Sequence, residues 1–210
     1  MPRRMADAAF RAAQEADRYA PHVQPVNELV DSLRDDVRGW MPHVAPLHGG
    51  TTARVLSVLR DPGPATQDTV GSGFLCIEND DPTAERQLQM FTDVGITAAD
   101  ITPWNAYPWY INAAPRPAQL DAGIAPLPAL LDLMPAVRVV FLQGAHARES
   151  WARLAKRQPA RARRVPAVVA THHPSRQALF HPDPDVRRAR AEHREASYRQ
   201  VAEALDEVTG

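Results

Sequence analysis

Cysteine is almost missing from this sequence: Cys76 is the only one in 210 residues. A single thiol excludes a disulfide framework and any centre held by several thiolates, including an iron–sulfur cluster or a Cys-rich zinc site, and it fits a reducing compartment. Lysine is equally scarce, since Lys156 is the one lysine among 24 basic residues. Long apolar runs are missing too. No stretch of about 18 apolar residues is available to cross a bilayer, and the opening Met1-Pro2-Arg3-Arg4 leads into a charged, Ala-rich segment instead of an apolar signal core. The expectation is a cytoplasmic protein with no membrane association. A formal net charge of -1 argues against wholesale coating of nucleic acid, although a local basic patch can still hold a few phosphates. No repeat, low-complexity tract or Gly/Ser linker divides the chain, so one domain is expected over residues 1–210.

What is present is an alternation of two periodicities. Residues 1–45 read as two helices, over 3–19 and 25–39, ended by Pro21 and by Met41-Pro42. Short apolar runs rich in Val, Leu, Ile and Phe follow at 54–59, 100–104, 137–142 and 167–170. Helical patterns lie between and after them at 82–94, 117–133 (broken near Pro126 and Pro128), 146–157 and 185–207. This order predicts an α/β fold with a central four-stranded parallel sheet sandwiched between helical layers. In such sheets ligands bind at the carboxyl ends of the strands.

The four strand exits read Arg60-Asp61-Pro62-Gly63-Pro64, Asn105-Ala106-Tyr107-Pro108-Trp109, Gln143-Gly144-Ala145-His146 and Thr171-His172-His173-Pro174-Ser175. Turn chemistry accounts for the Pro and Gly. It accounts less well for an Asp, an Asn and a His pair on separate strands. A carboxylate fixed at a strand end can orient a water. A carboxamide carries the donor and acceptor that a pyrimidine edge requires. An imidazole can donate to an oxygen gaining charge as a bond breaks, and a following Ser can bind phosphate. His172 competes with His173 for that role. Two adjacent His and a distant Asp have no metal-ligand spacing, so neither metal nor cofactor is expected.

The segments Leu59-Arg60-Asp61-Pro62-Gly63, Asn105 and His173-Pro174-Ser175, in that order, resemble the uracil-DNA glycosylase superfamily over roughly residues 54–180. Phe74 lies thirteen residues beyond Asp61, the spacing at which that family places a base-stacking aromatic. The resemblance implies a uracil-DNA glycosylase-like three-layer α/β/α sandwich. It further implies a monomeric, cofactor-free, monofunctional enzyme that flips uracil or a related modified pyrimidine out of DNA and hydrolyses its N-glycosidic bond in base excision repair. By the same resemblance Asp61 activates or positions the water and Phe74 stacks on the base. Asn105 reads the uracil edge, and His173 stabilises the charge developing on the uracil oxygen. Ser175 and the backbone near Gly63 and Pro64 hold flanking phosphates. Arg176-Gln177-Ala178-Leu179 occupies the place of the loop that wedges into the duplex, with Gln177 and Leu179 as its bulky members.

The sequence also departs from that pattern. Leu59 replaces the family's opening Gly, and a large Arg60 follows it. Gly63 leaves room where strictly uracil-specific members carry a Tyr that blocks a 5-methyl group, yet branches with that room usually carry Asn at the position of Asp61. Residues 78–81 (Glu78-Asn79-Asp80-Asp81) read as a helix start, with Asp80 or Asp81 as cap, Pro82 in the first turn and Glu85 in capping-box position. Alternatively, Glu78 or Asn79 reaches into the pocket. Trp104, Tyr107, Trp109 and Tyr110 read as core, or else as a stacking surface. The arginines between 148 and 164 read as a solvated helix face or as one side of a DNA channel. Two alternatives to a glycosylase remain at this point: a catalytically silent superfamily member that binds DNA or lesions, and a hydrolase of small nucleosides.

Overall fold

The computed structural model describes residues 3–35 and 37–207. In chain order the strands are β1 (His43–Val44), β2 (Val55–Leu59), β3 (Phe74–Leu75), β4 (Ile101–Asn105), β5 (Val139–Gln143) and β6 (Ala167–Thr171). The helices are α1 (Ala8–Ala16), α2 (Gln24–Leu33), α3 (Pro82–Asp93), α4 (Pro117–Ile124), α5 (Leu127–Leu133), α6 (Ala145–Arg157), α7 (Pro159–Ala162) and α8 (Pro184–Asp206). Four strands form one parallel sheet in the order β4-β2-β5-β6, and β1 pairs with β3 in a second, two-stranded one.

Side chains alternate across a strand, and here each face of the main sheet meets its own helices. Leu56 and Val58 of β2 enter a core with Val30 of α2, Leu130 of α5 and Leu154 of α6. Val55 of the same strand enters another core, with Phe91 of α3 and Val201 of α8. Strands buried on both faces must be apolar throughout, which is why these runs were conspicuous in the sequence. A third, smaller cluster joins Met5, Ala45, Phe74 and Cys76. Among the described residues no helix is long and apolar enough to cross a membrane.

The structure revises the N-terminal expectations. The first helix starts at Ala8 and ends at Ala16, because the carboxylate of Asp7 accepts from the amides of Ala9 and Phe10 and so fixes its N-terminus. The second ends at Leu33 instead of running on to Gly39. Arg34 leaves the helix to donate to the Met41 carbonyl and His43 Nδ1, and Gly39, at φ +107, closes a turn back onto Asp35. The break anticipated near Pro126 separates α4 from α5. The short β1–β3 pair and α7 carried no periodic signal long enough to be read.

Candidate active site

The exits of β2 and β4 run side by side. Leu59 and Asn105 are register partners, and the pairing continues past the strands as the amides of Ala106 and Tyr107 donate to the carbonyls of Leu59 (2.8 Å) and Arg60 (3.0 Å). Asp61 and Asn105 therefore leave neighbouring strands at the same level. Asn105 is 1% exposed, yet neither its amide nitrogen nor its amide oxygen has a hydrogen-bond partner. The Asp61 side chain is 3% exposed. Its Oδ1 accepts from Arg60 Nε at 2.5 Å, while Oδ2 is buried without a partner. Leaving such groups unpaired costs about 1–3 kcal/mol each. Three orphaned polar atoms thus meet at adjacent strand ends.

The imidazole of His173 faces the same rim from β6. The Ser175 amide donates to its Nδ1 at 3.1 Å, so in the neutral ring the proton sits on Nε2. Burial, then the Arg60 guanidinium, push its pKa down to about 4, against the pull of Asp81. The ring is thus a neutral donor at physiological pH, with Nε2–H uncommitted to protein. Gly144, the residue after β5, backs it. A Cβ at Gly144 would lie 3.4 Å from the His173 Cβ, and φ is +103 there, so glycine serves both the turn and the close approach. The carbonyl of Pro174 accepts from Arg86 of α3 at 2.8 Å, which pins the His-Pro-Ser loop. His172 is turned to α8 instead, with its ring edge-on to His193 at 5.3 Å between centroids.

A buried polar chain lies under the rim. Gln87 of α3 and Gln143 of β5 both donate to Ser57 Oγ (3.2 and 2.7 Å), and the Tyr198 hydroxyl of α8 donates to Gln143 Oε1 at 2.9 Å. Gln143 is thereby committed to structure, as its place at a strand exit did not reveal.

The remaining sequence-predicted residues fall into two groups. Gly63 and Pro64 are exposed beside Asp61. A side chain at Gly63 would meet nothing within 4 Å, so open space lies over that position. Thr66 donates through both its amide and its hydroxyl to the Gly63 carbonyl (3.0 and 2.7 Å), which stiffens the turn. Ser175 is partly buried and Arg176 and Gln177 are exposed at the His-loop exit. Leu179 is partly buried, and the bulky apolar side chain presented there is Phe180, 69% exposed, which sequence reading passed over. Phe74 is 1% exposed, packed in the third core cluster with Met5, Ala45 and Cys76.

The acidic segment is structural. Asp81 caps α3, accepting from Thr83 and Ala84. Glu85 does not close a capping box, because its carboxylate goes to Arg3, which also pairs with Asp80. Glu78 pairs with Arg4, and Asn79 ties Ser72 to the Phe74 carbonyl. Trp104, Tyr107 and Trp109 are buried core. Most of the arginine-rich stretch is neutralised: Arg153 and Arg157 pair with Asp121, and Arg161 and Arg164 with Asp132. Among the described residues, no group of three or more His, Cys, Asp or Glu could hold a metal ion. No family model and no curated protein matches this chain.

Proposed function

We propose that this protein is a monofunctional DNA glycosylase with a uracil-DNA glycosylase-like fold, acting in the cytoplasm as a monomer on uracil or a related modified pyrimidine in base excision repair. The parallel sheet with helices on both faces agrees with such a fold. The observation that carries the reading is Asn105, a buried carboxamide with both polar atoms unpartnered at a strand end. Its oxygen suits the uracil N3–H and its nitrogen the O4, so a flipped base replaces the missing partners.

In this reading the bond between N1 and the sugar C1′ breaks with its electron pair passing to the base, where charge collects on O2. The His173 Nε2–H donates to that oxygen without being itself charged. A water held against Asp61 Oδ2 attacks C1′ and leaves an abasic site, its proton passing to the carboxylate or to solvent. The open space over Gly63 admits a 5-substituent. Release of base from a labelled oligonucleotide bearing one uracil, single-stranded and opposite guanine or adenine, tests this. Asp61→Asn should lower the rate by at least about tenfold. No release from any of these substrates would sink it.

One observation favours a second reading, a silent module that binds DNA or lesions. Arg60 holds Asp61 Oδ1 at 2.5 Å, which ties up half of the carboxylate. Arg60→Ala separates the two: faster release supports the enzyme, and continued lack of release with retained DNA affinity supports the module.

A further inference from the structure

Arg194 lies midway along α8 and is 8% exposed, yet among the described residues it makes no hydrogen bond and no ion pair. Its Nε and Nη1 are buried without a partner. The other guanidiniums with such orphaned nitrogens, Arg3 and Arg18, have carboxylate partners. A buried charge with nothing against it is strongly unfavourable, so a counter-charge is expected where the protein works. Glu195 is near enough to be felt by Arg194 but makes no ion pair with it.

The surroundings make the need greater. Arg86 of α3 faces Arg194 closely enough to repel it, while its Nη1 holds the Pro174 carbonyl. His172 on the other side of the loop feels Arg194, Arg190 and Arg148. Arg190 donates to the Phe180 carbonyl, and none of these four arginines has a carboxylate partner among the described residues. Like charges gathered under one loop are relieved by an anion with several oxygens, and the guanidinium fork suits a phosphate.

We propose that Arg194, with Arg86 and His172, forms a phosphate-binding site beneath the His-Pro-Ser loop. It rests on the glycosylase reading only for its source, a backbone phosphate of the bound strand. A free phosphate would offer the same chemistry.

The test uses an undamaged, uracil-free single-stranded oligonucleotide without terminal phosphates, bound at a series of salt concentrations and followed by fluorescence anisotropy. Inorganic phosphate is tested beside it by its effect on the thermal midpoint. Arg194→Met should bind the oligonucleotide several-fold more weakly, with a log–log salt slope lower by about 1. Its own midpoint should hold or rise, because the substitution removes an unpaired buried charge. Arg86→Met carries the same test through a less buried position. If inorganic phosphate raises the wild-type midpoint and not that of Arg194→Met, while oligonucleotide binding is unaltered, the site stands with free phosphate as its ligand. Unchanged affinity and slope with no phosphate effect would overturn it, as would weaker binding at an unchanged slope. Because the oligonucleotide holds no uracil, loss of the glycosylase reading would leave this result intact, and the reverse also holds.

Discussion

The N-terminal half of the molecule and the rim of the sheet use the same buried residue types with opposite outcomes. Asn27 in α2 is fully buried and fully paired: its nitrogen donates to the Arg18 and Val44 carbonyls and its oxygen accepts from the Val44 amide. Asn105 is as deeply buried and has nothing. His48 engages both ring nitrogens, one with the Ala98 carbonyl and the other with the Ile77 amide. His173 engages one and keeps Nε2. Within these pairs burial and residue type are alike, and what differs is the hydrogen-bonding capacity left over, which is largest at Asn105, where both polar atoms are unpartnered.

The largest effect expected from this contrast is on activity. His173→Ala and Asn105→Ala should each slow uracil release by on the order of a hundredfold, with thermal midpoints close to wild type. A large fall in midpoint for Asn105→Ala would make it scaffold after all. The mirror experiment is Asn27→Ala, which leaves two carbonyls and an amide without partners. Urea denaturation should show a loss on the order of 3 kcal/mol with the rate constant per folded molecule unchanged.

Acid should reveal the two histidines together. Burial lowers the pKa of His48 to about 4, and that of His173 to a similar value. The unfolded chain takes up these protons near pH 6.5 and the folded one only near 4. Stability is therefore complete above 6.5 and drains away as pH falls toward 4. His48 alone contributes a loss on the order of 2 kcal/mol by pH 5. Base release per folded molecule should show no step near pH 6.5, since His173 stays neutral there. Such a step would show that its ring titrates freely. The smallest effect belongs to Asp132→Ala, which removes the carboxylate partner of the half-buried Arg161 and the exposed Arg164. DNA affinity should change by less than about twofold, in contrast to the salt-dependent loss expected for Arg194→Met.

The strands were legible because all four are short, largely apolar runs that end abruptly in turn or polar residues, with Asp61, Asn105 and the His pair at three of the exits and Gln143-Gly144 at the fourth, and the structure places them within two residues of the expected bounds. Their spatial order was not, since nothing in a run of Val and Leu states its neighbour. The end of α2 was misread because Gly39 acts through a positive φ that no periodicity reports. The paired arginines of α6 and α7 were ambiguous because their partners Asp121 and Asp132 lie some thirty residues earlier. Arg194 was invisible for a related reason. Along α8 it is one charge among many, and only tertiary packing buries it. Of the candidate site, Asp61, Asn105 and His173 stood out at strand exits, whereas Gly144, Arg86 and the Ser57 chain depend on contacts between distant segments.

The Gln87–Ser57–Gln143–Tyr198 chain ties the fate of the rim to the last helix. During synthesis Asp61, Asn105 and His173 leave the ribosome before Tyr198 and Arg194 do. Until α8 arrives, Ser57 and Gln143 lie on an uncovered sheet face and the His-Pro-Ser loop has no floor. On the proposed reading a nascent chain is therefore inactive until α8 docks, and a chain cut short before α8 carries Asp61, Asn105 and His173 without their support.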